Sequence, residues 1–315
     1  AKCGHLHHAK GVFDRMPSRD SAAWNAIISG YAQHGHRKMG IDLFGEMCKL
    51  ELLPNIATLI SLLASCSNPS ALSDGQWIHN RIKGTELEYD IVACNALIAM
   101  YGKCGSLREA YMIFLSVIDK DIIFWNVMLA AYAQQGYGKQ ALQLYRSMEA
   151  EKLIPNAFTF ISLINACSHA GLLDEGFCQF KFMIKNHGIK PNSTHYNCLI
   201  DLLGRLGCLD EAEALIRTMP ELPDIISWKS LLTSCKTHSN TELGRHCFNA
   251  AVQSDPHDSA GYVLMSTIYA DLDLSQDVDI VYVLKKPDDG AKLPGRAWFG
   301  ITAKMEEFYF VDQEG

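Results

Sequence analysis

The phrase WNAIISGYAQHG at residues 24–35 returns as WNVMLAAYAQQG at 125–136. Six of the twelve positions are identical, and most of the others exchange one apolar or small residue for another. A single-core enzyme has no need to restate a segment 101 residues later, whereas a repeat protein does so by construction. In such architectures each unit is one supersecondary element that cannot bury its own apolar surface, so neighbours must stack to make a core. Periodicity therefore constrains this chain before any catalytic motif is considered.

Related phrases stand at CNALIAMYGKCG (94), YNCLIDLLGRLG (196) and WKSLLTSCKTHS (228), with LISLLASCSNPS (59) and FISLINACSHAG (160) sharing the period. Each is followed by a second apolar pattern. Small residues recur there at one phase: Ala9, Gly40, Gly75, Ala110, Ala141, Gly176, Ala212 and Gly244. The register gives units of 31 to 36 residues over 21–258. In the second half of a unit Gly40, Leu43, Phe44 and Met47 fall at i, i+3, i+4 and i+7, and Ala141, Leu144, Tyr145 and Met148 repeat this. That spacing draws an apolar stripe down one helical face. The Ala or Gly within it lets a neighbouring helix approach closely. LPN at 53–55, IPN at 154–156 and KPN at 190–192 close units: proline stops one helix and the next polar residue can cap another. The expected fold is all-α, a solenoid of two-helix repeats.

Composition agrees with a soluble array. Of 315 residues, 48% are hydrophobic and 20% charged, and no apolar run reaches the roughly 18 residues that a membrane span needs. The eleven cysteines lie mostly inside apolar helical patterns, as Cys66, Cys94, Cys167 and Cys198 do, and read as buried free thiols. The formal charge of −7 counts against a generic nucleic-acid binder unless recognition is local. The chain opens at Ala1 in the middle of a pattern, so it reads as a piece of a longer protein with a targeting segment possible upstream.

Tetratricopeptide repeats also have an aromatic opening and a mid-unit Ala, but they keep small residues at two further contact points. Here those points are bulky: Ile28, Ile98, Leu129 and Ile200, then Met47, Met148 and Met219. The sequence instead resembles the plant-type pentatricopeptide repeat proteins, in the subclass that alternates standard, long and short units. The resemblance rests on WNAIISGYAQHG…LFGEM…LPN, CNALIAMYGKCGSLREAYMIF, NACSHAGLLDEG and HYNCLIDLLGRLGCLDEAEALIRTMP, and it covers nearly the whole chain. It implies a right-handed α-solenoid, with a truncated short unit at 1–20 and six repeats at 21–55, 56–90, 91–121, 122–156, 157–192 and 193–224. The offset of 101 is then one triplet of units. Residues 225–292 resemble the E-type extension of organellar RNA-editing factors, although DLDLSQDVDIVYVLKKPDDG departs from the usual pattern. Residues 293–315 resemble the short β-rich stretch that follows, with Trp298 and Phe308 expected to pack.

No enzyme is expected in the chain itself. The family's usual next module is a zinc cytidine deaminase, which needs His-x-Glu and Cys-x-x-Cys to hold the metal and shuttle protons. None of the twelve histidines has Glu two residues on, and no two cysteines are three apart. GxSxG, HExxH and a P-loop are also absent. HLHH at 5–8 lies in a helical pattern and reads as incidental rather than as a metal site, so no cofactor is expected.

The resemblance implies reading of single-stranded RNA, about one base per repeat. The family's two main readers fall here on Asn25 with Asn55, Asn95 with Asp121, Asn126 with Asn156, and Asn197 with Asp224. An amide donates and accepts on a base edge, and an ionised carboxylate only accepts. The family's code takes Asn/Asp as favouring U and Asn/Asn as favouring C or U, giving a pyrimidine-rich 5′-Y-N-U-Y-N-U-3′. The long units offer Ile60 with Asp90 and Ile161 with Asn192, and isoleucine cannot hydrogen-bond. Lys2, Lys103 and Arg205 share a phase where the family tends to hold the RNA backbone.

Two plainer readings stand beside these. Asn or Asp before a helix is most often a cap, and a cation at a helix end pairs with the helix dipole. The resulting function is a site-recognition factor for C-to-U editing in mitochondria or chloroplasts. A deaminase or editing-complex partner would be engaged through 225–315. The alternatives are a protein-binding scaffold and a degenerate paralogue without a specific target.

Overall fold

The computed structural model describes residues 6–52, 54–255 and 258–271. Sixteen α-helices occur among them, and no strand. They are α1 (Leu6–Arg15), α2 (Ser21–Gln33), α3 (Arg37–Lys49), α4 (Ile56–Ser65), α5 (Leu72–Ile82), α6 (Ile91–Lys103), α7 (Leu107–Ser116), α8 (Ile122–Gln134), α9 (Gly138–Ala150), α10 (Ala157–Ala170), α11 (Leu173–His187), α12 (Ser193–Arg205), α13 (Leu209–Arg217), α14 (Ile225–Thr237), α15 (Thr241–Ser254) and α16 (Ser259–Asp271). None is long and apolar enough to cross a membrane, among the described residues. Lys2, Trp298, Phe308 and the 293–315 tail lie outside the described residues.

Helix pairs stack in chain order. Each first helix, from α2 to α14 by even number, packs against the next first helix, and all but α4 pack closely against their own second helix; α5 instead leans on α3 and α6. Second helices touch the following first helix and scarcely meet one another. Close packing on the first-helix side and splaying on the other is what bends an array into an α-solenoid with the first helices inside.

The phased small residues lie where the stacking needs them. Ala110, Ala141 and Ala212 are fully buried. A methyl at Gly176 would come within 2.5 Å of Leu202 on α12, and one at Gly75 would strike Met100 on α6. The triplet recurs in space as well as in sequence. Phe13 meets Trp24 edge-on at 4.8 Å, and Phe114 meets Trp125 edge-on at 4.9 Å, 101 residues on. Five of the joints between paired helices carry a left-handed glycine, such as Gly105 at φ 80° and Gly136 at φ 73°, whereas the α4–α5 joint has none. In the 225–258 unit Ser239 takes that place at φ 54°.

The thiols follow the packing. Cys66, Cys94, Cys104, Cys167, Cys235 and Cys247 are buried and free, whereas Cys178 is exposed. Burial pushes the Cys66 and Cys94 thiols up to about 11 and the Cys167 thiol to about 12, so they stay protonated.

Candidate nucleic-acid interface

Seven first helices begin on an Asp or Asn cap: Asp20, Asn55, Asp90, Asp121, Asn156, Asn192 and Asp224. Each side-chain oxygen accepts the amide of the third helical residue, from 2.8 Å at Thr58 to 3.3 Å at His195. Each such cap contributes about 1 kcal/mol. The plain reading of these residues is therefore correct for all seven, but it does not exhaust them. Only Oδ1 is engaged. Nδ2 of Asn55 and Asn156, and Oδ2 of Asp121 and Asp224, make no hydrogen bond among the described residues.

Stacking brings the fifth residue of one first helix beside the cap of the next. Asn126 Nδ2 donates to Asn156 Oδ1 at 3.1 Å, and Asn197 Nδ2 faces Asp224 Oδ1 at 3.5 Å. The Asn55 backbone N–H donates to Asn25 Oδ1 at 3.2 Å. Around these pairs a hydroxyl closes the network: Thr159 Oγ1 donates to Asn126 Oδ1 at 2.8 Å and Ser227 Oγ to Asn197 Oδ1 at 2.6 Å. Asn95 and Asp121 make no such bond to each other, and Asn95 Oδ1 is buried without a partner. A lone buried acceptor costs about 1–3 kcal/mol.

The phase continues into the next unit with different chemistry. Lys229 is the fifth residue of α14 and Asp258 precedes α16. Their side chains form an ion pair at 3.1 Å, so this pair is closed on itself. The long units behave as their composition dictates: Ile60 is 37% exposed and offers no polar group, while Asp90 and Asn192 cap their helices.

A further row of apolar side chains lies on the same face. The second residue of a first helix lies one turn before the fifth, on the same face. Val92, Ile123, Phe158 and Ile226 hold that position and are all exposed, Phe158 by 70%. Val92, Ile123 and Ile226 thus lie one turn before the polar Asn95, Asn126 and Lys229, while Phe158 follows the Asn156 cap and lies one turn before Ile161. Apolar periodicity hid them, because they read as members of the first-helix stripe.

The candidate cations differ. Lys103 is exposed and makes no ion pair among the described residues. Arg205 is spanned by Asp201 at 2.7 Å, and Asp201 also accepts Ser168 Oγ at 2.6 Å. Gln33 and Gln134 occupy the phase elsewhere without charge. His7 and His8 are exposed on α1, and no cluster of metal-binding side chains occurs among the described residues.

Family models match this chain over most of the array. The PPR repeat family matches residues 19–68 and 120–169, further PPR repeats match 92–122, 158–187 and 187–220, and an E motif matches 238–300. The chain belongs to the pentatricopeptide repeat family. It is 37% identical over 99% of its length to the pentatricopeptide repeat-containing protein CRR2, chloroplastic, of Arabidopsis thaliana, of which it covers 48%. It is 35% identical to a second Arabidopsis thaliana member, named mitochondrial, again over 99% of this chain and 49% of that protein. The chain thus spans about half the length of the curated relatives it matches. Among solved structures it is similar in fold to the maize pentatricopeptide repeat protein PPR10 in complex with an 18-nt psaJ RNA element. The TM-score is 0.51 at 18% identity, over 90% of this chain and 48% of that one.

Proposed function

We propose that the chain binds single-stranded RNA along its row of first helices, about one base per repeat, and serves as a site-recognition factor in organellar RNA processing, C-to-U editing above all. One observation carries this reading. Four Asn-led pairs recur at one phase on one face, and in each the cap leaves a polar atom spare for a ligand. A pure cap would need no partner amide from the neighbouring helix. The exposed Val92, Ile123 and Phe158 supply surfaces for the faces of bases, so hydrogen-bonding edge and stacking face are provided together. The RNA in the PPR10 complex and the organellar names of the Arabidopsis relatives support the same direction. The proposed target is 5′-Y-N-U-Y-N-U-3′ in a mitochondrial or chloroplast transcript, with deaminase chemistry supplied by a module or partner engaged through 225–315.

The test is a titration of this chain against two labelled RNAs. One carries the pyrimidine pattern, and the other has purines at the four read positions. Preference for the first is expected. Equal binding, or none at low salt, would contradict base reading. The net charge of −7 and the exposed apolar row favour one rival, a helical-repeat scaffold for a protein partner. That rival predicts no RNA preference.

A further inference from the structure

The four reader amides are held differently, and the difference traces to the third residue of the following first helix. At Asn126 the carbonyl end accepts Thr159 Oγ1–H at 2.8 Å and one N–H goes to Asn156 Oδ1 at 3.1 Å. At Asn197 the carbonyl end accepts Ser227 Oγ–H at 2.6 Å, with Nδ2 toward Asp224. Both amides are thereby fixed with the oxygen inward and the second N–H outward. At Asn25 the Asn55 backbone N–H holds the oxygen instead, while Thr58 Oγ1 turns to the Asn25 backbone carbonyl at 3.4 Å. At Asn95 the oxygen is buried, yet nothing among the described residues donates to it. The residue in the hydroxyl's place is Phe124, fully buried and stacked on Phe114 at 5.5 Å between ring centres.

Orientation decides what a base meets. Turning an amide end for end replaces a donor with an acceptor. Uracil presents O4 as an acceptor where cytosine presents an N4–H donor. A fixed amide separates these, and a free one can satisfy either.

We propose that this third helical residue is a positioning residue for base recognition. Thr159 and Ser227 lock the amides of the units before them and sharpen their choice of base. Phe124 leaves the Asn95 amide free to turn, so the 91–121 unit accepts U and C alike, where Asn95 with Asp121 by themselves would imply U. The inference rests on the base reading proposed above.

Two measurements test it. In the first, each read position of the RNA is varied through four bases, and the ratio of best to worst affinity is recorded. The unmodified chain should give its smallest ratio opposite the 91–121 unit. Thr159→Val should flatten the ratio opposite the 122–156 unit by about three- to tenfold, Thr159→Ser should retain it, and other positions should not change. In the second, without RNA, asparagine side-chain amides are labelled with 15N. Asn126 should be ordered and lose order in Thr159→Val, and Asn95 should be mobile already. A uniform loss of affinity for all four bases in Thr159→Val, or an Asn95 amide as ordered as Asn126, would overturn the proposal. If no RNA binds at all, base reading itself fails, and the amide measurement still decides whether the hydroxyl does the orienting.

Discussion

Asn156 shows how one side chain serves two structures at once. Its Oδ1 caps α10 and receives the Asn126 amide from the preceding first helix, and its Nδ2 makes no hydrogen bond among the described residues. The sequence places such residues at the right phase but leaves open whether a cap or a reader stands there, because both want a short polar side chain before a helix. Only packing shows that a neighbouring helix delivers a second amide to the same point. His195 is a variation on this theme. It stands where Thr58 and Thr159 stand, fully buried, with Nδ1 2.6 Å from Asn192 Oδ1 and Nε2 3.2 Å from the Ala157 carbonyl. Burial pushes its pKa below the ordinary 6.5, and the Ala157 carbonyl offsets this only in part. The unfolded chain therefore takes up the proton first. Stability is full above about 6.5 and is lost as pH falls toward the depressed folded value. His79 and His169 shift the same way, again chiefly by burial. Melting temperature should decline below about pH 6.5, and His195→Thr should reduce that decline. An unchanged slope in the variant would show that folding does not depress the His195 pKa and would contradict this account.

At the scale of the helix pair, much was legible. The apolar stripe, the phased Ala or Gly of the second helix and the Pro-Asn unit ends lead to a two-helix stack, and the helices form it. A second set of small residues was not singled out. Gly102 in α6 and Gly204 in α12 occupy the same place on first helices. A methyl at Gly102 would lie 2.7 Å from Ala131 Cβ and 3.1 Å from its Cα, and one at Gly204 would strike Ser234. These contacts set the close approach of first helices that brings Asn95 near Asp121 and Asn197 near Asp224. The repeated phrase masked them, since Tyr-Gly and Leu-Gly look like a turn approaching its glycine. Gly102→Ala should destabilise by about 1–3 kcal/mol, since backbone rather than a flexible side-chain end stands in the way. Gly11→Ala, in α1 with open space around it, should stabilise by up to about 1 kcal/mol through helix propensity alone. Thermal or denaturant melts of both variants check this. Equal effects would remove the steric account.

Across the whole molecule, charge sets the character of any complex. The net charge is −7, and the phase proposed to meet phosphate holds Lys103 and Arg205 but the uncharged Gln33 and Gln134 elsewhere. Lys103 makes no ion pair among the described residues, while Asp201 holds Arg205 at 2.7 Å. RNA affinity should therefore depend only weakly on salt, since each phosphate contact adds about 0.7 to the slope for a single strand. Asp201→Asn should free Arg205, raise affinity at low salt and steepen the slope by about that amount. An unchanged slope would mean Arg205 does not meet phosphate. The array and its period are legible in the chain because repetition is written into it. The ion pair that holds Arg205 and the Lys229–Asp258 bridge beyond the last repeat are not legible there, since each depends on two side chains meeting in space.

The most direct measurement exchanges one reader. Asn126→Ser is titrated against RNAs differing only in the base opposite the 122–156 unit. Base reading predicts that preference at that position moves from pyrimidine toward purine while the other positions keep theirs. A preference unmoved by the exchange, or lost at every position together, would leave the Asn pairs as caps and contradict the account.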